Sequence, residues 1–176
     1  PMALTMEDAE KMKIVAEENR RILMVGHLLE YHPAVLKLRE MIASGELGKI
    51  NYIYSNRLNY GRVRTEENAL WSFAPHDVAV ILRLMGQALV EVSSCGGSCL
   101  TNGIADTTMS NLRFADESRA HIFVSWLHPF KEQRLVIVGD KKMAVFNDVA
   151  TFGEKLQLYP QNVEFDGAMP ILKKKD

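Results

Sequence analysis

The strongest constraint in this sequence is a change of pattern at Gly86. Before it, apolar residues recur at intervals of three and four. After it come short strand-like runs in close succession: Leu89–Ser94, Thr107–Phe114, Ala120–Trp126, Arg134–Val138, Met143–Asn147 and Lys155–Tyr159. Turn chemistry separates them, as in Ala115-Asp116-Glu117-Ser118 and in Gly139-Asp140-Lys141-Lys142, the latter set between two apolar runs as in a hairpin. Strands that follow one another through short turns predict antiparallel pairing. The fold class is therefore α+β: a largely antiparallel open sheet of about six or seven strands with two or three helices on one face.

The helical part opens with Thr5, an N-cap followed by the acidic Glu7 and Asp8, and the spacing predicts a helix to about Asn19 with Ala9, Met12, Val15 and Ala16 on a buried stripe. The continuous run Ile22-Leu23-Met24-Val25, ended by Gly26, predicts a short strand buried on both faces. Such a strand needs neighbours on both edges, and nothing earlier in the chain supplies them. Pro33 opens a second helix, with Val35, Leu38 and Ile42 on one face, that closes near Gly45. Lys49 to Tyr60 alternates as a strand, with Ile50, Tyr52 and Tyr54 set against Asn51, Ile53 and Ser55. Gly61 to Asn68 is a polar loop, and a third helix runs from about Trp71 to Met85, with Phe73, Val80, Ile81 and Leu84 directed to the core.

Composition closes off several classes of function. The 176 residues favour one compact unit, and 47% hydrophobic content is enough for a core. The 21 basic and 22 acidic residues give a net charge of −1, no footprint for nucleic acid or an anionic membrane. No apolar run approaches the roughly 20 residues of a membrane span, and the opening residues lack the charged-then-apolar layout of a secretory signal, so export is not expected. Cys95 and Cys99 stand without a second pair, so neither a disulfide framework nor a four-thiolate zinc site is expected, and a cytoplasmic setting fits.

Chemistry-bearing residues are few. His76-Asp77, behind Pro75, falls in the first turns of the third helix, where an imidazole titrates near neutrality and can exchange protons; the plainer reading is a histidine satisfied by backbone. Arg57, Asn59, Tyr60, Arg62 and Arg64 lie where a strand runs into a loop, and guanidinium groups there suit a carboxylate or phosphate, or simply form a solvated edge. Trp126, His128 and Lys131 offer an aromatic face for a sugar, or a tryptophan of the core. His27 and His32, five apart, do not match a helical metal pair, so a hydrolase built on them with His76 is disfavoured and no metal is expected. Neither a G-x-G-x-x-G turn nor a G-x-x-x-x-G-K-[ST] loop occurs.

Several segments together resemble the Gfo/Idh/MocA family of NAD(P)-dependent oxidoreductases: Pro1 to Thr5, Met24-Val25-Gly26-His27, Tyr31-His32-Pro33-Ala34, Gly45 to Ile50, Arg57 to Gly61, Pro75-His76-Asp77 and Ser125-Trp126-Leu127. The resemblance implies a Rossmann domain followed by an α+β domain with an open antiparallel sheet. Pro1 would close a Glu-Lys-Pro motif, leaving the catalytic lysine and the glycine-rich loop outside this sequence. Residues 1–26 would be the last helix and strand of the dinucleotide-binding domain, 27–170 the substrate-binding and oligomerisation domain, and 171–176 a tail. His76 falls on the family's catalytic histidine. Arg57, Asn59, Tyr60, Arg62 and Asp77 fall along the substrate pocket, with Trp126, His128 and Lys131 as further members. Ser72 stands where the family often has an aspartate, and Leu28-Leu29-Glu30 where many relatives have a basic residue. The implied activity is hydride transfer between NAD or NADP and a sugar-type hydroxyl, on substrates such as nucleotide-linked amino sugars or their uronic acids. This chain alone is expected to hold no cofactor and to be inactive. The implied partners are a small-molecule sugar or sugar nucleotide and a second copy of the chain at the open sheet face, with no nucleic acid or membrane. The alternative is a non-catalytic dimerisation or ligand-binding module.

Overall fold

The structure is a computed structural model and describes residues 2–173. Helix α1 (Met6–Glu18) is followed by an extended stretch, a short 3-10 turn and α2 (Pro33–Ala43). Strand β1 (Ile50–Leu58) leads to α3 (Ala69–Met85), after which β2 (Leu89–Gly97), β3 (Thr107–Phe114), β4 (Arg119–Ser125), β5 (Glu132–Gly139), β6 (Met143–Asn147) and β7 (Leu156–Tyr159) follow in turn. These seven strands form one sheet in the order β2-β3-β4-β1-β5-β6-β7, with α2 and α3 on one face. A separate hairpin of β8 (Asn162–Asp166) and β9 (Met169–Lys173) ends the described chain.

The helix ends follow their side chains. Thr5 Oγ1 accepts from Asp8 N, His32 Nδ1 accepts from Ala34 N ahead of Pro33, and Asn68 Oδ1 accepts from Trp71 N. Gly86 stops α3 in the left-handed region at φ 61°, where a side chain would be strained. Gly139 is fixed differently: a Cβ there would collide with the Leu47 carbonyl oxygen. That absence lets the turn after α2 lie on the β5–β6 hairpin, with Lys141 N donating to Leu47 O and Lys49 N to the Asp140 carboxylate.

Every neighbouring pair in the sheet is antiparallel except one. β1 inserts between β4 and β5 and runs parallel to β4, so Leu58 lies beside Ser125. Short turns predicted the antiparallel pairs but not this one, because β1 is separated from β4 by α3 and two strands. The inner face of the sheet carries Ile53, Leu112, Phe114, Ile122, Val124, Leu135, Ile137 and Phe146, packed against Val35, Leu38, Ala74, Ile81 and Leu84 of the helices. The alternation expected for β1 is seen from Tyr52 onward: Ile53 and Ser55 are buried, while Tyr52 and Tyr54 lie on the opposite face, where Tyr54 stacks on His121 at 5.3 Å. A register shift between Ile50 and Tyr52 changes which residues point inward.

Three further expectations are corrected. Ile22–Val25 is not a strand; it is extended and largely open to solvent, Ile22 at 98%, and no backbone N–H of residues 22–26 donates to another backbone group. The α1 stripe is not buried, with Val15 at 57% exposure. Among the residues expected as a tail, 171–173 belong to β9, while 174–176 lie outside the described residues, as does Pro1 with its place in the expected Glu-Lys-Pro motif.

Core and periphery should respond differently to truncation. Ile137→Ala, at a fully buried site between Ile53 and Ala144, is expected to lower the unfolding free energy by about 2–5 kcal/mol, whereas Val15→Ala on the bare face of α1 leaves it within about 0.5 kcal/mol. Urea unfolding of the two variants measures both.

Candidate active site

The parallel pairing of β1 with β4 brings both carboxyl ends to one edge of the sheet. There Asn59 N donates to Ser125 O at 3.1 Å, Gly61 N to Trp126 O at 3.4 Å, and Trp126 N to Asp106 O at 3.0 Å. Helix α3 starts at the same edge, since Ala69 N donates to Ala105 O at 2.8 Å. The loop after β1, the loop after β4 and the first turns of α3 therefore converge, and His76 lies about two turns into that helix.

His76 is partly buried. Its Nδ1 is sealed from solvent without a hydrogen-bond partner, and the ring stands edge-on to His27 with centroids 5.8 Å apart. Burial lowers its pKa from the ordinary value; the positive charge of Arg57 and the His27 ring act the same way, and Asp77 opposes them. The next residue, Asp77, is 4% exposed and fully engaged. Arg57 donates to it from Nε at 2.6 Å and from Nη2 at 3.2 Å, and the Ser55 hydroxyl donates at 2.7 Å. This fork of β1 residues ties α3 to the sheet.

The residues predicted for the site therefore divide. His76, Asp77 and Arg57 stand together, but Arg57 and Asp77 bind each other. Trp126 is only 1% exposed, so its indole belongs to the core and is no open platform for a sugar, because its strand parity turns it toward the helices. Asn59 is half-buried beside Gly61, and Tyr60, 78% exposed, projects from the same loop. Arg62 and Lys131 are exposed, and His128 Nδ1 lies 2.9 Å from the Phe130 carbonyl oxygen. Among the described residues no hydrogen bond links Asn59, Tyr60, Arg62, His128 or Lys131 to His76. His32 caps α2.

Sequence reasoning missed two members, His27 beside His76 and Ser55 behind Asp77. Ser55 shares strand parity with Ile53 and Arg57, which is the signal that would have found it. His27 lies 49 residues from His76, and no local pattern joins them. Beside His27, a groove of about 460 Å³ opens between Trp71, Ala74 and Val78 of α3 and Val92 and Leu112 of the sheet.

Among the described residues each α-helix start carries a side-chain cap, from Thr5, His32 and Asn68, and none is glycine-rich. Among the described residues no three metal-ligating side chains form a group, and no helix is long and apolar enough to cross a membrane.

An open, mostly antiparallel sheet of seven strands with one parallel pair, backed by helices on one face, makes this an α+β domain. Residues 35–145 match the GFO/IDH/MocA C-terminal domain, and the chain belongs to that family. It is 24% identical over 173 residues to 2,7-anhydro-N-acetylneuraminate hydratase of Mediterraneibacter gnavus, covering 90% of this chain and 46% of that protein. Among solved structures it resembles UDP-N-acetylglucosamine 3-dehydrogenase GnnA of Acidithiobacillus ferrooxidans, with a TM-score of 0.78 at 22% identity, over 100% of this chain and 56% of that one. It also resembles the WlbA dehydrogenase of Bordetella pertussis, solved with NADH and UDP-GlcNAcA, with a TM-score of 0.76 at 20% identity, over 89% and 51%. The structural likenesses establish the shared fold. The chain spans about half the length of these relatives.

The histidines set an acid limit on stability. Burial lowers the pKa of His121, as it does that of His76. In the unfolded chain both take up a proton near the ordinary value of about 6.5, so between that value and the lowered ones the unfolded state binds more protons. Their contribution is complete above about pH 6.5 and is lost as the pH falls through the lowered values. Urea midpoints measured from pH 7.5 down to 5 should decline, and His121→Gln should make the decline shallower.

Proposed function

We propose that this chain is the substrate-binding and assembly part of an oxidoreductase that moves hydride between NAD or NADP and a hydroxyl of a sugar-type substrate, nucleotide-linked amino sugars and uronic acids among them. The carrying observation is the placement of His76 in a member of this family: a partly buried imidazole at the edge where the loops after β1 and β4 converge. The half-length match to dehydrogenases of UDP-sugars supports the same reading.

Each α-helix of the described residues has its own side-chain cap and none begins on a glycine-rich turn, which supports placing the dinucleotide's phosphates outside these residues. The hydride partner is accordingly assigned to polypeptide outside this sequence, and residues 1–26 to the border of that unit. What this chain contributes is proton handling and positioning. Because His76 Nδ1 is sealed, the hydroxyl proton is exchanged at Nε2. The lowered pKa keeps the ring neutral at neutral pH, as a base that receives a proton requires. Asn59, Tyr60, Arg62, His128 and Lys131, on the converging loops, line the approach and recognise the substrate's polar groups.

In a protein joining this chain to its dinucleotide-binding half, His76→Gln should lower kcat by about 10²-fold or more with a small change in KM. An unaltered kcat would favour the reading of a non-catalytic binding module. Titration calorimetry of the 176 residues alone with NAD(H) and NADP(H) should show no binding; tight binding would overturn the assignment of the cofactor to other polypeptide.

The sheet face away from the helices is the assembly surface in this proposal. Tyr52, Tyr54, Phe123, Val136 and Val145 lie across its centre, an apolar area that a second copy would cover. Light scattering is expected to give a dimer or larger assembly, and Val136→Lys to shift it toward monomer; a strict monomer in the unaltered chain sinks this part.

A further inference from the structure

Three groups surround His76. Asp77 follows it on α3, about 100° further round the helix, so that when Asp77 points into the sheet the imidazole is turned toward the sheet's edge. Arg57 reaches across from β1, and His27 closes the remaining side. The Arg57 side chain is 12% exposed, with Nε and Nη2 both committed to the Asp77 carboxylate. A guanidinium already answered by a buried carboxylate has little left for a substrate's carboxylate or phosphate. Ser55 fixes the same carboxylate from a second position on β1.

We propose that Arg57 is a positioning residue for His76: acting through Asp77, it clamps the turn of α3 that carries the imidazole to the end of β1 and places a fixed positive charge behind the ring. This rests on His76 being the proton-handling group. It differs from a substrate-binding role for Arg57, in which the guanidinium would face the ligand.

Among the described residues, the charged and titratable side chains facing His76 are Arg57 from β1, His27 from the segment before α2, and Asp77 from α3. Arg57 and Asp77 act on the imidazole in opposite directions, so removing one unmasks the other. Asp77→Asn keeps the shape while deleting the negative charge, at the cost of whichever Arg57 or Ser55 hydrogen bond the amide nitrogen cannot accept, and His76 should become harder to protonate. Arg57→Gln deletes the positive charge, and His76 should become easier to protonate. A pair that only held the fold together would behave otherwise: loosening the site from either side would return His76 upward toward its ordinary value in both variants.

The test is an NMR titration of the histidine rings in this chain, read by nitrogen and carbon-bound proton shifts. Asp77→Asn is expected to lower the proton affinity of His76 and Arg57→Gln to raise it, each by roughly three- to tenfold, with Arg57→Lys restoring most of the original position. Both single variants moving His76 in the same direction, or neither moving it, would overturn the proposal. Should the singles fail to fold, Arg57→Met/Asp77→Leu decides, because it leaves no unpaired buried charge. Altered ring shifts and tautomer in that variant support the clamp, and unaltered ones refute it. No turnover is needed, so a failed titration and an unchanged kcat in His76→Gln are separate results with separate meanings.

Discussion

Strand β1 has hydrogen-bonded neighbours on both edges and helices over its inner face, yet it turns Ser55 and Arg57 toward those helices. A buried guanidinium in that position is tolerable only when a carboxylate answers it with good geometry. Asp77 supplies one, and that requirement fixes how α3 lies on the sheet. The helix cannot rotate or slide by a turn without stranding both charges. The same contact explains why β1 sits in the middle of the sheet: placed at an edge, its polar inner residues would meet water instead of a partner, and nothing would tie α3 to the ends of β1 and β4.

What could be read from the sequence was whatever a local period or a turn encodes. The switch at Gly86, the strands from β2 to β7 and the caps at Thr5, Pro33 and Gly86 all lie within a few residues of their causes. The parallel seam between β1 and β4 depends on residues roughly 65 positions apart, and no short pattern records it. Alternation on β1 separates two faces without saying which is covered. Tyr54 finds His121 on the far face, and the polar pair finds Asp77. The β8–β9 hairpin escaped notice because its apolar face, with Val163, Phe165 and Leu172, packs on little else.

The first part of the chain shows the difference between helix and strand in physical terms. Helix α1 satisfies its own backbone and is capped by Thr5, so it forms although nothing covers its apolar stripe. Ile22–Val25 has a comparable apolar content, but a strand's hydrogen bonds must come from elsewhere, and here they do not. One local pattern is self-sufficient and the other is not, which is why a correct reading of residue type gave a wrong reading of structure.

The site divides along the same line. His76, Asp77, Ser55 and Arg57 sit on regular elements and are held by distances that the fold itself imposes. Asn59, Tyr60, Arg62, His128 and Lys131 sit on loops whose side chains have no such anchors, and loops are where a scaffold can change its ligand without changing its core. Under the proposed function, a proton-handling group on a regular element is framed by loops, in keeping with the general rule that function varies on a shared fold. Ser72, one turn before His76, marks the boundary: it lies on α3, yet it replaces a carboxylate that the family resemblance led us to expect. A hydroxyl there can share a hydrogen bond with a substrate but cannot take its proton at neutral pH. Under the proposed function that leaves the imidazole, since the other titratable group of this turn, Asp77, is already engaged by Arg57 and Ser55.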